Sequence, residues 1–426
     1  MEETNKKRAS YIEGDIDYEE DDIEKNEKDK KINRDPFNRN YVLVLGIRGT
    51  INFLIAAIKY LLWKKKEDIN IKSLYLNPAI IRNGKVIGGY TFLWKFFNFI
   101  FKKWDLFKEN RYFLSGMLAG SSILFEVEES RVDYSLMLFF RILQTQVEKR
   151  KQLDLYSNVL YVFSDTLIHL SHALYPQFLD PSIFNIFNRF GSIPPESIYA
   201  NQRLYNNQNI SSSLLIQQIK DQGFNTNYIN NIVTKNQPLN CTFYHPNDIN
   251  CKWAVINKLK KVIKFTLPVY LSVNLLPKMV FQPAQILNNP KNTLLKTIQK
   301  SIRSTGFISI YIAIYQFLVC KIQNQSLNII NYPISLLSGI LITIFSTINL
   351  ESNQRKLDLA NYMAPKAVKS LIKLLHFYRL IPTIKYVESL LFVISSGYLM
   401  WDYKNNSVYL KPIVKKVLKS TVDYSI

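Results

Sequence analysis

The chain has 426 residues, with 54 Lys and Arg against 33 Asp and Glu, a formal net charge of +21 and a hydrophobic share of 47%. Its three cysteines, Cys241, Cys251 and Cys320, are too few and odd in number, which excludes a disulfide framework. The mean hydropathy of -0.05 averages a polar N-terminus and a polar middle against concentrated apolar runs, so the segregation along the chain matters more than the total.

Residues 1–36 carry dense charge of both signs and only scattered apolar side chains, which cannot offset the entropy of ordering a chain. They read as a disordered charged tail. The acidic Glu19, Glu20, Asp21 and Asp22 argue against an Arg-rich, acid-poor presequence, and the tail has no apolar stretch of the secretory kind.

From residue 41 the character changes. YVLVLGIRGTINFLIAAIKYLLW (41–63) is long enough to cross roughly 30 Å of hydrocarbon. Apolar runs follow at 86–101, 112–125 and 156–179, with a mixed stretch at 131–150 between the last two; later ones lie at 264–281, 306–320, 332–348 and 386–401. Eight candidate spans emerge. Several are short, since a 14-residue helix reaches only about 21 Å, and they need the lysines at their ends, such as Lys102, Lys103 and Lys108, to snorkel to headgroups. The competing reading is a soluble helical protein with long buried helices, and the short runs are its best support.

The second half repeats the first. Arg82, Tyr90 and Phe96 fall on Arg303, Tyr311 and Phe317 at a constant offset of 221; Leu114, Ser115 and Gly116 fall on Leu337, Ser338 and Gly339 at 223, with Glu128 on Glu351. A two-residue adjustment then sets Asp133 on Asp358 and YVFSDTLIHLSHAL (161–174) over YVESLLFVISSGYL (386–399). The fold class expected is therefore all-α: a polytopic membrane protein of two tandem related bundles, each of about four transmembrane helices, repeated in parallel about an axis near the membrane normal. The chain divides into a tail (1–36), a first membrane repeat (37–190), a polar Asn/Gln/Ser-rich linker (191–254) and a second membrane repeat (255–426). Between lipid-embedded helices small residues permit close backbone approach, so Gly116 and Gly120, with Gly339 and Thr343 as counterparts, are the expected helix-packing positions.

Two polar constellations stand out. Asp165, His169 and His172 share one helical face and, with Glu388, are candidate lining of an interhelical groove, because ionisable groups at membrane depth are expensive and face a cavity or partner. Near the end of the linker NCTFYHPNDINCKW brings Cys241, His245 and Cys251 together in sequence. Two cysteines and one histidine hold zinc only if a fourth ligand comes from elsewhere, so the segment reads as a turn closing the linker and no metal ligand is assigned. In the second half Lys366, Lys369 and Lys373 recur at helical spacing, the pattern either of a basic helix lying in the membrane interface or of a solvated face. No Walker A loop, GxSxG, HExxH or clustered Cys ligand set occurs, so neither catalytic nor cofactor-binding residues are assigned and no enzyme is expected. The positive charge is spread over run ends, which gives nucleic-acid binding no support beyond bulk charge.

The order of CTFYHPNDINC, VYLSVNLLPKM, IRSTGFISIY, YPISLLSGILITIF and YVESLLFVISSGYLMW, closing in NNSVYLKPI, resembles the transmembrane protein 135 family, and LSGMLAGSSILF with LDPSIFNIFNRF in the first half resembles its small-residue span and closing phrase. The likeness covers roughly 240–412 and more loosely 82–190; this chain has fewer cysteines than the family's Cys-rich segment. The four-span unit is also similar, at the level of fold, to the mitochondrial inner-membrane preprotein translocase channel family. The first resemblance implies a non-enzymatic multi-pass protein of mitochondrial or peroxisomal membranes that influences mitochondrial fission and fusion and peroxisome and lipid homeostasis. Its implied partners are the bilayer, the organelle-division machinery, or lipid and sterol. The alternative is a transporter or translocation module using the polar groove.

Overall fold

The computed structural model describes residues 78–206, 208–229, 238–248, 250–281, 289–325, 331–410, 414–415 and 418–419. The expected tail and the run at 41–63 lie outside these residues. Twelve α-helices and no strand occur among the described residues. They are α1 (Pro78–Lys103), α2 (Arg111–Gly120), α3 (Glu128–Lys149), α4 (Leu153–Leu174), α5 (Pro181–Gly191), α6 (Pro195–Tyr205), α7 (Ser212–Asp221), α8 (Cys251–Phe281), α9 (Pro290–Asn324), α10 (Tyr332–Thr347), α11 (Asn353–Phe377) and α12 (Val387–Asn405).

Local chemistry sets several of these boundaries. Proline stands in the first turn of α5, α6, α9 and α10, where its missing N–H costs nothing. Asp180 caps α5 through the Ser182 N–H, Ser211 caps α7 through Leu214, and Ser352 caps α11 through Arg355.

The duplication read from the sequence has a structural counterpart. A long helix, a shorter helix ending in a 3₁₀ turn and two further helices occur in each half: α1 to α4, then α9 to α12. At the same place in both, a buried glutamate ends the 3₁₀ turn: Glu126 accepts from the Val127 N–H at 3.2 Å and Glu351 from the Ser352 N–H at 2.8 Å. Arg82 reaches Glu126 at 3.1 Å and Arg303 reaches Glu351 at 3.9 Å. The counterpart of Glu351 is thus Glu126, not Glu128. The two-residue step therefore falls between Gly116 and Glu126 in the first half and between Gly339 and Glu351 in the second.

The halves do not pack as two separate tandem bundles. The fourth helix of each half seats in the other: α4 packs most extensively on α11 and also on α10, while α12 packs on α2 and α3. Helices α3 and α11 meet between them. One core joins Phe140, Leu160 and Tyr161 of the first half to Phe307, Tyr311, Leu336, Ile340 and Ala360 of the second. A smaller one gathers Trp94 and Ala119 with Met400 and Tyr403.

The Asn/Gln/Ser-rich middle is not an extended connector. It contains α6 and α7, and Ile198, Leu204, Leu215 and Ile219 pack with Ile168, Ile183, Leu239 and Phe243 in a core of their own. Its few apolar residues recur at helical spacing, so a segment polar in composition still buries one face. Of the expected basic face, Lys366 meets Asp180 at 2.8 Å and Lys369 meets Asp133 at 2.9 Å, and on the same helix Lys356 meets Asn158 at 2.7 Å. With Leu357, Ala360, Ala364 and Ala367 buried beneath them, α11 is a packed core helix with an ion-paired flank.

Of the expected spans, two described helices are long and apolar enough to cross a bilayer, residues 290–324 and 332–350. The runs at 86–101, 112–125, 156–179, 264–281 and 386–401 fall on helices that do not meet that measure. Most are interrupted by buried polar residues, and α2 has only 10 residues before its 3₁₀ turn.

Candidate functional site: a Cys/His cluster and a buried polar contact

Residues 240–248 build a compact turn ahead of α8. The Asn240 side chain accepts from the Thr242 N–H, opening a 3₁₀ turn over Cys241–Phe243, and the N–H groups of Tyr244 and His245 return to the Cys241 carbonyl. Pro246 and Asn247 carry the chain round to Cys251, the first residue of α8. This fold points Cys241, His245 and Cys251 at one another, with Cys241 Sγ 3.4 Å from Cys251 Sγ and His245 Nε2 3.5 Å from Cys251 Sγ.

Sequence spacing does not foretell the fourth member. Cys320, near the C-terminal end of α9, brings its sulfur into the same group, and the four donor atoms all lie within 4.8 Å of one another. Cys241, His245 and Cys320 are buried and Cys251 is half-buried. Amide N–H groups point at the sulfurs: Gln316 Nε2 donates to Cys320 Sγ at 3.3 Å, and Asn324 Nδ2 approaches Cys251 Sγ at 3.8 Å. Hydrogen bonding with Cys320, then burial, pushes the Cys241 thiol above its ordinary range. Beside the cluster Lys258 is buried; its ammonium donates to the Tyr244 carbonyl at 3.3 Å and to Gln316 Oε1 at 2.9 Å. Burial holds that ammonium down at about 8.

The expected groove residues divide. Asp165 and His169 on α4 meet Tyr311 of α9: the Tyr311 hydroxyl donates to Asp165 Oδ2, and His169 Nδ1 lies 3.3 Å from Asp165 Oδ1. His172 turns instead to Asn188 of α5, at 2.9 Å. All three are buried among aromatic rings, with His169 against Phe187 and Tyr315 and His172 against Phe184. Glu388 does not join them. It sits in the first turn of α12, 3.7 Å from Arg131 of α3. Asp165 and His169 thus meet the second half through Tyr311, His172 contacts within the first half, and Glu388 stands apart because α4 and α12 are exchanged into different parts of the fold. Tyr90, the repeat partner of Tyr311, has Ser396 of the other exchanged helix as its polar neighbour.

The small-residue positions also differ from one another. Gly116 and Gly120 both face α12, where an added Cβ at Gly116 would stand 2.8 Å from the Ser396 carbonyl oxygen and one at Gly120 2.9 Å from Val393 Cα. Gly397 completes this contact from α12. Gly339 faces the tip of Ile322 on α9, and Thr343, fully buried, donates back to the Gly339 carbonyl at 2.8 Å.

Comparisons with protein-family models, with curated proteins and with solved structures gave no match to this chain.

Proposed function

We propose that this chain is a non-enzymatic, multi-pass helical protein of a mitochondrial or peroxisomal membrane, acting on organelle division and lipid balance. The observation that carries the membrane part of this reading is the distribution of polarity. Large apolar side chains stand exposed along the helices, among them Phe92, Phe96 and Phe99 on α1, Ile334, Ile342 and Phe345 on α10 and Leu390 and Ile394 on α12. Between the helices lie small polar residues such as Ser135, Ser164, Ser301, Thr343 and Thr347, whose hydroxyls return to the carbonyl four residues earlier. Such bonding lets a hydroxyl be buried at a close helix contact without a distant partner, and exposed apolar area on this scale needs a cover. On this reading the helices that are short or polar for a span cross alongside α9 and α10, with their polar faces turned against neighbouring helices. The organelle and the process rest on the resemblance to the transmembrane protein 135 family.

Alkaline carbonate extraction of native membranes should leave the chain in the pellet, and deletion should alter mitochondrial shape and cellular lipid content. Release into the carbonate supernatant overturns the membrane assignment; unchanged organelles and lipids overturn the process. A second reading, a transport or translocation module, draws on the Asp165–His169–Tyr311 contact between the halves. Replacing Asp165 and His169 by Leu should then abolish flux in reconstituted vesicles, and unchanged flux removes it.

A further inference from the structure

We propose that Cys241, His245, Cys251 and Cys320 form a tetrahedral zinc site that fastens the segment between the two halves to the ends of α8 and α9. The donor set is a Cys₃His set, one of the recurrent structural zinc combinations. Tetrahedral zinc with Zn–S near 2.3 Å and Zn–N near 2.0–2.1 Å has S···S edges of about 3.8 Å and S···N edges of about 3.6 Å. The Cys241–Cys251 and Cys251–His245 separations, 3.4 and 3.5 Å, already have that scale. Since all four donors lie within 4.8 Å, the longest edge must contract by only about an ångström to reach the tetrahedron.

Three further observations fit this chemistry. First, the turn is held by its own backbone bonds from Tyr244, His245 and Asp248, which preassemble Cys241 and His245, and Cys251 is fixed as the first residue of α8. Second, Gln316 and Asn324, four residues either side of Cys320, both aim amide N–H groups at sulfur, an arrangement that suits metal-bound thiolate better than neutral thiol. Third, a buried lysine needs a counter-charge, and Lys258 makes no direct ion pair with a carboxylate among the described residues, Asp248 acting on it only from beyond that reach. Three thiolates, a neutral imidazole and a divalent cation sum to one negative charge, which Lys258 balances through Gln316, the residue that bridges its ammonium to Cys320. Loading the site releases the thiol protons to solvent as the metal–sulfur bonds form, with no change of oxidation state. The competing arrangement is a Cys241–Cys251 disulfide, which would need the sulfurs to close to about 2.05 Å and would leave Cys320 and His245 outside it.

The test uses the full-length chain, purified in mild detergent with its affinity tag removed. Elemental analysis by mass spectrometry should find about one zinc per chain, the site being a single four-ligand centre. Cobalt exchanged into it should give thiolate-to-metal charge-transfer bands with tetrahedral ligand-field absorption. Removing a second-shell partner alone typically costs 10–100-fold in affinity, so Cys320→Ser and His245→Ala should each weaken zinc binding by at least about tenfold. His245→Cys, which makes a Cys₄ set, should retain the metal; this variant separates loss of a ligand from loss of the fold. Cys251, half-buried, should alkylate only after chelation. Wild-type chain without stoichiometric zinc, zinc retained unchanged in both ligand variants, or an intact-mass measurement showing a Cys241–Cys251 disulfide would each overturn the proposal. Because this readout is metal content, it stands or falls separately from the carbonate test of membrane residence.

Discussion

Arg82 and Glu126 are unequal partners, and the inequality predicts which loss is worse. Glu126 is almost wholly buried and Arg82 is about one-third exposed, with 3.1 Å between them. Replacing Glu126 by Gln keeps an acceptor for the Val127 N–H and leaves a guanidinium that water can still solvate, so the expected cost is about 1 kcal/mol. Arg82→Met leaves a buried carboxylate uncompensated and should cost about 2–4 kcal/mol. The double variant should recover part of that loss. Denaturant unfolding of the four proteins in detergent checks the order; a larger loss for Glu126→Gln than for Arg82→Met refutes it. Asp180 gives a pH-dependent counterpart outside the candidate spans. Burial alone would raise its pKa, but the Lys366 ammonium and the Ser182 hydroxyl and N–H outweigh burial and hold it at about 2. A carboxylate held below its ordinary value of about 3.9 contributes stability that is complete above that value and is lost as pH falls through the folded value. Lys366→Met should therefore destabilise the chain near neutrality, and its deficit against wild type should shrink between about pH 4 and pH 2. Thermal unfolding scanned over that window measures the difference.

At the scale of the helix, glycines that look alike in sequence have different duties. The added methyl of Gly116→Ala would meet backbone, the Ser396 carbonyl oxygen at 2.8 Å and Gly397 Cα at 3.0 Å, so α2 and α12 must separate. That should cost about 1–3 kcal/mol. Gly339→Ala meets the flexible end of Ile322 at 2.9 Å and should cost less, while Gly306→Ala, with nothing within 4 Å, should be neutral or stabilising by up to about 1 kcal/mol from helix propensity. Unfolding free energies ranked in any other order would mean that α2 and α12 do not approach as closely as described. Several helices were legible because apolar runs are local signals, and the repeat was read from identical residues that keep register. The partner of Gly116 was not legible: a small residue announces close approach without naming the helix that approaches. The same limit explains the Cys/His cluster. Cys241, His245 and Cys251 stand within one turn, but Cys320 arrives from a helix almost seventy residues further on, and no spacing rule connects them.

For the molecule as a whole, the exchange of α4 and α12 decides how the halves depend on each other. The sequence pairs like with like and so suggests two self-contained bundles. The structure pairs α4 with α11 and α12 with α2 and α3, because a repeat places equivalent faces in both halves and each fourth helix can serve the other's acceptor. Sequence similarity between halves carries no information about which of the two arrangements is taken. The ion pair of Lys149 on α3 with the fully buried Asp402 on α12 and the contact of Tyr311 on α9 with Asp165 on α4 both cross the halves. A half produced alone would lack a helix over its core and expose Ala119 and Trp94, or Leu336 and Ile340. Cutting the chain between residues 229 and 238 should therefore give two fragments that are degraded or aggregate when expressed singly. The same fragments should copurify and resist protease when expressed together. Pulse-chase and limited proteolysis distinguish the cases, and a first-half fragment as protease-resistant by itself as in the pair would show that the helices are not exchanged.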